Sequence, residues 1–199
     1  LKLYKETRYV MSKTLYIVIP CYNEENVLNR TTDELKIKLT KLVKNNKISP
    51  YSKVLYVDDG SSDKTWKFIK DISKKDDLFT GISLSRNKGH QNALFAGLMV
   101  SKNYADMIIS MDADLQDDVD AIDEMIEKFY NGCDIVYGVR KSRKQDSFFK
   151  RISAQMFYKF MIKLGVDIVY NHADFRLTSK RVLNDLSNFK EVNLFLRGI

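Results

Sequence analysis

The sequence predicts an α/β domain built on a largely parallel sheet. Short apolar runs rich in β-branched and aromatic residues recur along the chain, and stretches with helical spacing separate them. Strands that alternate with helices favour parallel pairing, because each helix returns the chain to the starting edge of the sheet. The length of 199 residues fits one domain with a single core.

Five apolar runs are predicted as buried strands, at residues 15–19, 54–57, 81–84, 107–111 and 134–137. Three amphipathic stripes at helical spacing lie between them. These stripes comprise Leu28, Leu35, Leu39 and Leu42, then Trp66, Ile69 and Ile72, then Ile122, Met125, Ile126, Phe129 and Tyr130. Beyond residue 145 the pattern predicts a helix over about 147–164, a strand near 166–170 and a short helix from about Thr178.

Composition and missing motifs exclude several classes of protein. A hydrophobic content of 44% excludes a disordered chain, and no apolar run reaches the roughly 20 residues that span a bilayer. Cys21 and Cys133 predict two buried thiols in a reducing compartment, without a disulfide framework or a zinc site. The absence of glycine-rich phosphate loops and of a nucleophile elbow argues against dinucleotide oxidoreductases, P-loop NTPases and serine hydrolases.

Positive charge is concentrated in one stretch of the chain. The net charge is +7, and residues 140–151 are rich in Lys and Arg with a single acid, Asp146. Such a run suits nucleic acid, a membrane surface or a phosphate-bearing substrate, and a solvated loop is the simpler alternative.

Polar clusters follow the predicted strands. The first strand leads into Tyr22-Asn23-Glu24, the second into Asp58-Asp59-Gly60, and the third into Gly89-His90-Gln91. The fourth leads into Asp112-Ala113-Asp114. Because ligands of open parallel sheets gather at the carboxyl ends of the strands, these clusters are expected to form one site.

Asp112 and Asp114 are the strongest candidates for binding a metal ion. Two carboxylates this close repel each other unless a cation lies between them, and hard divalent ions prefer oxygen ligands. Gln116 would add a further oxygen ligand. The alternative is an acidic first turn of a helix, since further Asp residues follow.

Three motifs in this order resemble family 2 glycosyltransferases. They are I-V-I-P-x-Y-N-E-E at 17–25, V-D-D-G-S-x-D-x-T at 57–65 and D-A-D-L-Q-D at 112–117. The segments R-N-x-G-H-Q at 86–91 and A-D-F-R-L at 173–177 are similar to the branch that transfers sugars to polyprenyl phosphates. That branch includes bactoprenol glucosyltransferases and, more distantly, dolichol-phosphate mannose synthases.

The resemblance implies a GT-A fold, with a Rossmann-like, mostly parallel sheet, and inverting transfer of one sugar from a nucleotide-diphosphate sugar with Mg²⁺ or Mn²⁺. The nucleotide-sugar ligands it implies are Pro20, Tyr22, Glu24, Val57, Asp59, Asp112, Ala113, Asp114, Arg140 and Arg197. The implied metal ligands are Asp112, Asp114 and Gln116. The acceptor phosphate is assigned to Arg140, Lys150, Arg151 and Ser153, and the catalytic roles to Asp174 and Asp114.

The resemblance also implies where the domain acts. Residues 1–13 are expected to form an N-terminal extension and 14–199 the GT-A catalytic domain. Members of this branch continue into membrane helices, so we expect a C-terminal anchor outside this chain and a location at the cytoplasmic membrane face. The expected partners are a UDP-sugar, with glucose or N-acetylglucosamine, and a polyprenyl phosphate, without nucleic acid. A homo-oligomer is left open.

Three alternatives share the fold. They are a GDP-mannose-dependent mannosyltransferase, a nucleotidyltransferase, and a nucleotide-sugar-binding domain without activity. The acceptor chemistry bears on Asp174. A phosphate monoester is mostly ionised at neutral pH, so Asp174 is expected to position the acceptor more than to remove a proton.

Overall fold

The computed structural model describes residues 12–139 and 172–188. Strands and helices alternate as predicted up to residue 139. The strands are β1 (Leu15–Cys21), β2 (Lys53–Asp58), β3 (Phe79–Ser83), β4 (Met107–Ser110), β5 (Ile135–Val139) and β6 (His172–Ser179). The helices are α1 (Leu28–Lys44), α2 (Thr65–Lys75), α3 (His90–Ser101), α4 (Ala121–Tyr130) and α5 (Lys180–Leu186).

The six strands form one sheet in the order β3-β2-β1-β4-β6-β5. β1 pairs in parallel with β2 and with β4, and β2 pairs in parallel with β3. β6 lies antiparallel between β4 and β5. The prediction of a mostly parallel α/β sheet is confirmed, and the antiparallel strand within it is a feature that the sequence pattern did not indicate.

Helices cover both faces of the sheet. In β1, Ile17 and Ile19 face the core beneath α1, α2 and α4, while Val18 faces the core beneath α3 and α5. A strand buried on both faces is apolar at consecutive positions, which explains the unbroken run in the sequence. At Gly97 of α3, an added Cβ would lie 2.4 Å from Val18 Cγ1, so glycine allows α3 to approach the sheet closely.

The strand predicted at 134–137 is present as β5, but it is partly exposed, so the burial predicted for it was wrong. Ile135, Tyr137 and Val139 face solvent, whereas Val136 packs against the core. β5 is the last strand of the sheet, and an edge strand with one covered face alternates between exposed and buried side chains. Cys133, just before it, is also exposed, although the sequence predicted a buried thiol; Cys21 is buried as predicted.

The segment after residue 171 differs from the prediction. The predicted helix at 147–164 and strand near 166–170 lie outside the described residues, and β6 occupies His172–Ser179, across the position where a helix was expected to begin. The Ser179 side chain accepts a hydrogen bond from the backbone N of Val182, which starts α5 at Lys180. Within residues 12–139 and 172–188, no helix is both long enough and apolar enough to cross a membrane.

Candidate functional site

The loops that carry the predicted polar clusters meet at one edge of the sheet. The parallel strands β1, β2, β3 and β4 all end at this edge. β6 runs in the opposite direction, so its beginning lies beside the end of β4, with Arg176 opposite Ser110. Asp174 therefore enters the same site as the acidic segment after β4, and the expected convergence is confirmed for the described residues.

The loops after β1 and β2 are tied together by hydrogen bonds. The backbone N of Asn23 donates to Ser61 Oγ (3.0 Å), and the Ser62 backbone N donates to Asn23 Oδ1 (2.9 Å). The backbone N of Glu24 donates to Thr65 Oγ1 at 2.8 Å. Asn23 has a φ of 56°, a left-handed conformation that Asn tolerates better than most residues. These bonds fix the loop that presents Tyr22 and Glu24.

The predicted nucleotide ligands of these two strands differ in exposure. Tyr22 is 47% exposed, which leaves its ring open to stack on a base. Pro20 and Val57 are partners in the register of β1 and β2, and both are buried. The Val57 side chain packs under α3, so a contact between Val57 and a nucleotide would have to involve its backbone.

Asp59 organises the loop before α3. Only 2% of Asp59 is exposed, and its carboxylate accepts hydrogen bonds from the backbone N atoms of Lys88 (2.7 Å) and Gly89 (2.9 Å). Gly60 has a φ of 71°, and a Cβ there would lie 2.6 Å from the Arg86 carbonyl carbon. The second loop thus rests directly on the third. The structure gives Asp59 a role in loop architecture in addition to the predicted role in nucleotide binding.

The acidic segment after β4 forms a tight turn, which we call the acidic turn (residues 112–116). Ala113 is buried, while Asp114 and Gln116 are exposed. Asp114 accepts hydrogen bonds from the backbone N (3.1 Å) and from Nε2 (2.6 Å) of Gln116. Leu115 has a φ of 56°, which is strained for a branched side chain. Strain of this kind is often found at functional sites.

His90 and Asp174 join Asp112 beside the acidic turn. The Nε2 atom of His90 lies 3.4 Å from Asp174 Oδ2 and 3.8 Å from Asp112 Oδ1. Within residues 12–139 and 172–188, these three form the one group of His, Cys, Asp or Glu that could hold a metal ion, with ligand atoms within 4.8 Å of one another. Asp112 is also in the predicted set with Asp114 and Gln116.

Sequence reasoning did not assign His90 to a metal site, because two isolated His residues lack the spacing of metal ligands. Its position at the start of α3, on the edge where β4 ends, was the signal that could have found it. Asp174 is 9% exposed and lies deeper than Asp112. The group therefore combines residues that are far apart in the chain.

Negative charge accumulates across the site. The pKa of Glu24 is held above its ordinary value, first by burial and then by the nearby charges of Asp114 and Asp112. Glu24 belongs to the loop after β1, so the carboxylates of the acidic turn repel the carboxylate of a neighbouring loop. A divalent cation bound at this edge would relieve that repulsion.

Five predicted ligands lie outside the described residues. They are Arg140, Lys150, Arg151, Ser153 and Arg197. Their assignments to the donor phosphates and to the acceptor phosphate stay predictions.

A sequence profile described as "Glycosyl transferase family 2" matches residues 16–187. This match includes every described loop of the site. The chain belongs to glycosyltransferase family 2.

Curated relatives of this family 2 domain are longer than the chain. It is 51% identical over 185 residues to "Uncharacterized glycosyltransferase YkoT" of Bacillus subtilis (strain 168), covering 93% of this chain and 55% of that protein. It is 35% identical over 188 residues to "Bactoprenol glucosyl transferase" of Shigella phage SfX, covering 92% of this chain and 58% of that protein. The chain thus spans little more than half the length of these relatives.

Solved structures share the fold at low sequence identity. Glucosyl-3-phosphoglycerate synthase from Mycobacterium tuberculosis in complex with UDP has a TM-score of 0.59 and 17% identity, over 85% of this chain and 58% of that chain. TarS 1-349 of S. aureus has a TM-score of 0.55 and 14% identity, over 91% of this chain and 51% of that chain. The predicted family and the predicted GT-A fold are both confirmed.

Proposed function

We propose that this chain is the catalytic domain of an inverting glycosyltransferase that moves one sugar from a UDP-sugar to a polyprenyl phosphate. The observation that carries the proposal is the meeting of Asp112, Asp174 and His90 at the sheet edge that also presents the exposed Tyr22. The 35% identity to a bactoprenol glucosyl transferase supports a lipid phosphate as acceptor and glucose as the sugar, with N-acetylglucosamine as the other candidate.

The donor set fits a divalent cation. The carboxylate of Asp112 lies in one group with His90 and Asp174. Asp114 and Gln116 are hydrogen-bonded to each other in the same turn, and we propose that they complete the ligand set. A bound Mg²⁺ or Mn²⁺ would neutralise charge that develops on the departing nucleoside diphosphate. The solved relative that holds Mn²⁺ together with UDP supports manganese.

In the proposed reaction, an oxygen of the acceptor phosphate bonds to the anomeric carbon of the sugar while the bond to the diphosphate oxygen breaks. The configuration inverts, and the nucleoside diphosphate leaves with the bonding electrons. Because the acceptor phosphate is already mostly ionised at neutral pH, no strong base is required. Asp174, buried beside His90, would orient the acceptor side, and Asp114 the donor side.

The acceptor side of the proposal extends beyond the described residues. Arg140 and Arg197 would bind phosphates of the donor, and Arg140, Lys150, Arg151 and Ser153 would hold the acceptor phosphate. Positive charge in this segment would also suit an anionic membrane surface at the cytoplasmic face, with an anchor beyond this chain. The proposed mechanism does not require a homo-oligomer, and the experiments below do not measure the oligomeric state.

Thermal unfolding with UDP, GDP or CDP, each with and without Mn²⁺, tests the proposal. A nucleotide at 100 times its Kd should stabilise the domain by about 2.7 kcal/mol. We expect stabilisation by UDP that requires Mn²⁺. Asp114→Asn should remove this response, whereas Asp77→Asn, an equal charge change at an exposed residue in the turn between α2 and β3, should keep it.

Other outcomes would replace the proposal. A preference for GDP would indicate a mannosyltransferase, and failure of all three nucleotides to bind would overturn the proposed donor site. Release of UDP from UDP-glucose in the presence of polyprenyl phosphate separates a transferase from an inactive binding domain. Release of diphosphate from UTP and a sugar 1-phosphate would indicate a nucleotidyltransferase.

A further inference from the structure

Thr31 connects helix α1 to the acidic turn. Its side chain is fully buried, and Oγ1 lies 2.5 Å from the backbone carbonyl oxygen of Ala113, 82 residues further along the chain. The same hydroxyl lies 3.1 Å from the carbonyl oxygen of Val27 in the preceding turn of the helix. A hydroxyl has one proton to donate, and the shorter contact favours Ala113 as its acceptor.

The residue that Thr31 holds is the centre of the acidic turn. Ala113 is 4% exposed, and the acids on either side of it face the site. The hydrogen bonds described between Asp114 and Gln116 are internal to the turn, and Leu115 is strained. A rotation of the peptide after Ala113 would therefore displace the carboxylate of Asp114 relative to that of Asp112.

Helix α1 also adjoins the loop that is expected to bind the base of the donor. It begins at Leu28, directly after the loop that presents Tyr22 and Glu24, and Thr31 lies in its first turn. A single helix thus contacts both the loop expected to bind the base and the turn expected to bind the metal and the diphosphate.

We propose that Thr31 is a positioning residue for the metal and the diphosphate. Its hydroxyl fixes the Ala113 carbonyl and with it the separation of the Asp112 and Asp114 carboxylates. Divalent ions with near-octahedral coordination tolerate little displacement of their ligands, so a loosened turn binds them more weakly. This inference rests on the proposed function, since it assumes that the acidic turn binds a cation.

The neighbouring Thr32 provides a matched control. It lies in the same helix, is 4% exposed, and shares a hydrogen bond of 2.8 Å with the hydroxyl of Tyr56. Thr31→Val and Thr32→Val each remove one buried hydroxyl from α1, but only the first removes a bond to the acidic turn. Thr31→Ser keeps the hydroxyl.

The experiment measures Mn²⁺ binding by the loss of the free-ion electron paramagnetic resonance signal, with and without UDP. We expect Thr31→Val to weaken Mn²⁺ binding about ten-fold, Thr31→Ser to bind as the unmodified chain does, and Thr32→Val to change binding less than two-fold. Equal weakening by the two valine variants, or unchanged binding by Thr31→Val, would overturn the inference.

A second measurement separates this inference from the proposed function. Hydrogen exchange at the backbone N–H of Gln116, which donates a hydrogen bond to Asp114, reports the order of the turn without any ligand. Thr31→Val should accelerate that exchange at least five-fold and Thr32→Val should not; equal exchange in both would refute the positioning role. If Thr31→Val does not fold, Thr31→Ala compared with Thr31→Ser isolates the hydroxyl. Mn²⁺ binding without nucleotide binding would count against the proposed function alone.

Discussion

The two halves of the site are stabilised in different ways. The loops after β1 and β2 are held by hydrogen bonds between backbone N–H groups and side-chain oxygens, as between Ser62 and Asn23. The acidic turn, with Asp174, instead brings carboxylates together, and its central contact with another element is the Thr31 hydroxyl. The first half is held mainly by hydrogen bonds between its own loops, whereas the second half would be stabilised further by the cation that we propose binds there. We call them the hydrogen-bonded half and the acidic half.

This difference predicts that removing a carboxylate costs much more stability in the hydrogen-bonded half than in the acidic half. Asp59→Ala leaves the Lys88 and Gly89 backbone N–H groups without their acceptor, so we expect a loss of about 2–3 kcal/mol in the free energy of unfolding. Asp114→Ala removes an exposed charge among like charges and should change that free energy by less than about 0.5 kcal/mol. Urea denaturation of both variants measures the contrast. Similar losses in the two variants would show that the halves do not differ.

A smaller effect is expected at Asn23, where the hydrogen-bonded half uses a left-handed residue. Asn23→Ala combines the loss of the bond from Ser62 with an unfavourable φ, and should cost about 1–2 kcal/mol. Asn23→Gly loses the bond but tolerates the φ, and should cost about half as much. Thermal unfolding of the pair separates the two contributions. A glycine variant as unstable as the alanine variant would mean that backbone strain contributes nothing.

The smallest effect is expected at Glu24, where the two halves meet. Because its pKa is raised in the folded state, the folded chain binds the proton more tightly than the unfolded chain. Stability attributable to Glu24 therefore falls as pH rises through the ordinary pKa to the raised value, and the loss is complete above it. Glu24→Gln should stabilise the domain at pH 7 by a few tenths of a kcal/mol, an amount limited by solvent screening.

Unfolding measured between pH 4 and pH 8 checks this sign. The gain of Glu24→Gln should shrink as the pH is lowered towards the ordinary pKa of a glutamate. Glu25→Gln is the control, because the Glu25 carboxylate accepts a hydrogen bond from the backbone N of Lys64 and its replacement should give no gain. A gain that is independent of pH would contradict the electrostatic cause.

Local pattern revealed the parallel part of the sheet because burial on both faces leaves a mark in the sequence. Strands β1, β2 and β4 are continuous apolar runs for that reason. The sequence pattern of β6 is weaker, because Asp174, Arg176 and Thr178 interrupt its apolar residues. Its burial depends on pairing with β4, including a 2.5 Å hydrogen bond from Ser110 Oγ to the carbonyl oxygen of Asp174, 64 residues away.

The candidate site shows the same contrast between residues found by local sequence pattern and residues found by tertiary contact. Motifs in the sequence predicted Tyr22, Glu24, Asp112, Asp114 and Asp174 as site residues, since each follows an apolar run or belongs to a family pattern. His90 as a neighbour of Asp174, Asp59 as an acceptor for the third loop, and Thr31 as a contact of Ala113 became visible in the structure.

The sequence by itself determined the fold class, the family and the chemical types present at the sheet edge. These depend on local hydrophobic period and on short motifs, which neighbouring residues encode directly. Tertiary structure decided that β6 lies antiparallel beside β4. It also decided that the side chains of His90, Asp112 and Asp174 lie close together. Such contacts join residues 22 to 84 positions apart. They follow from how helices and strands pack around a common core, and no local period records them.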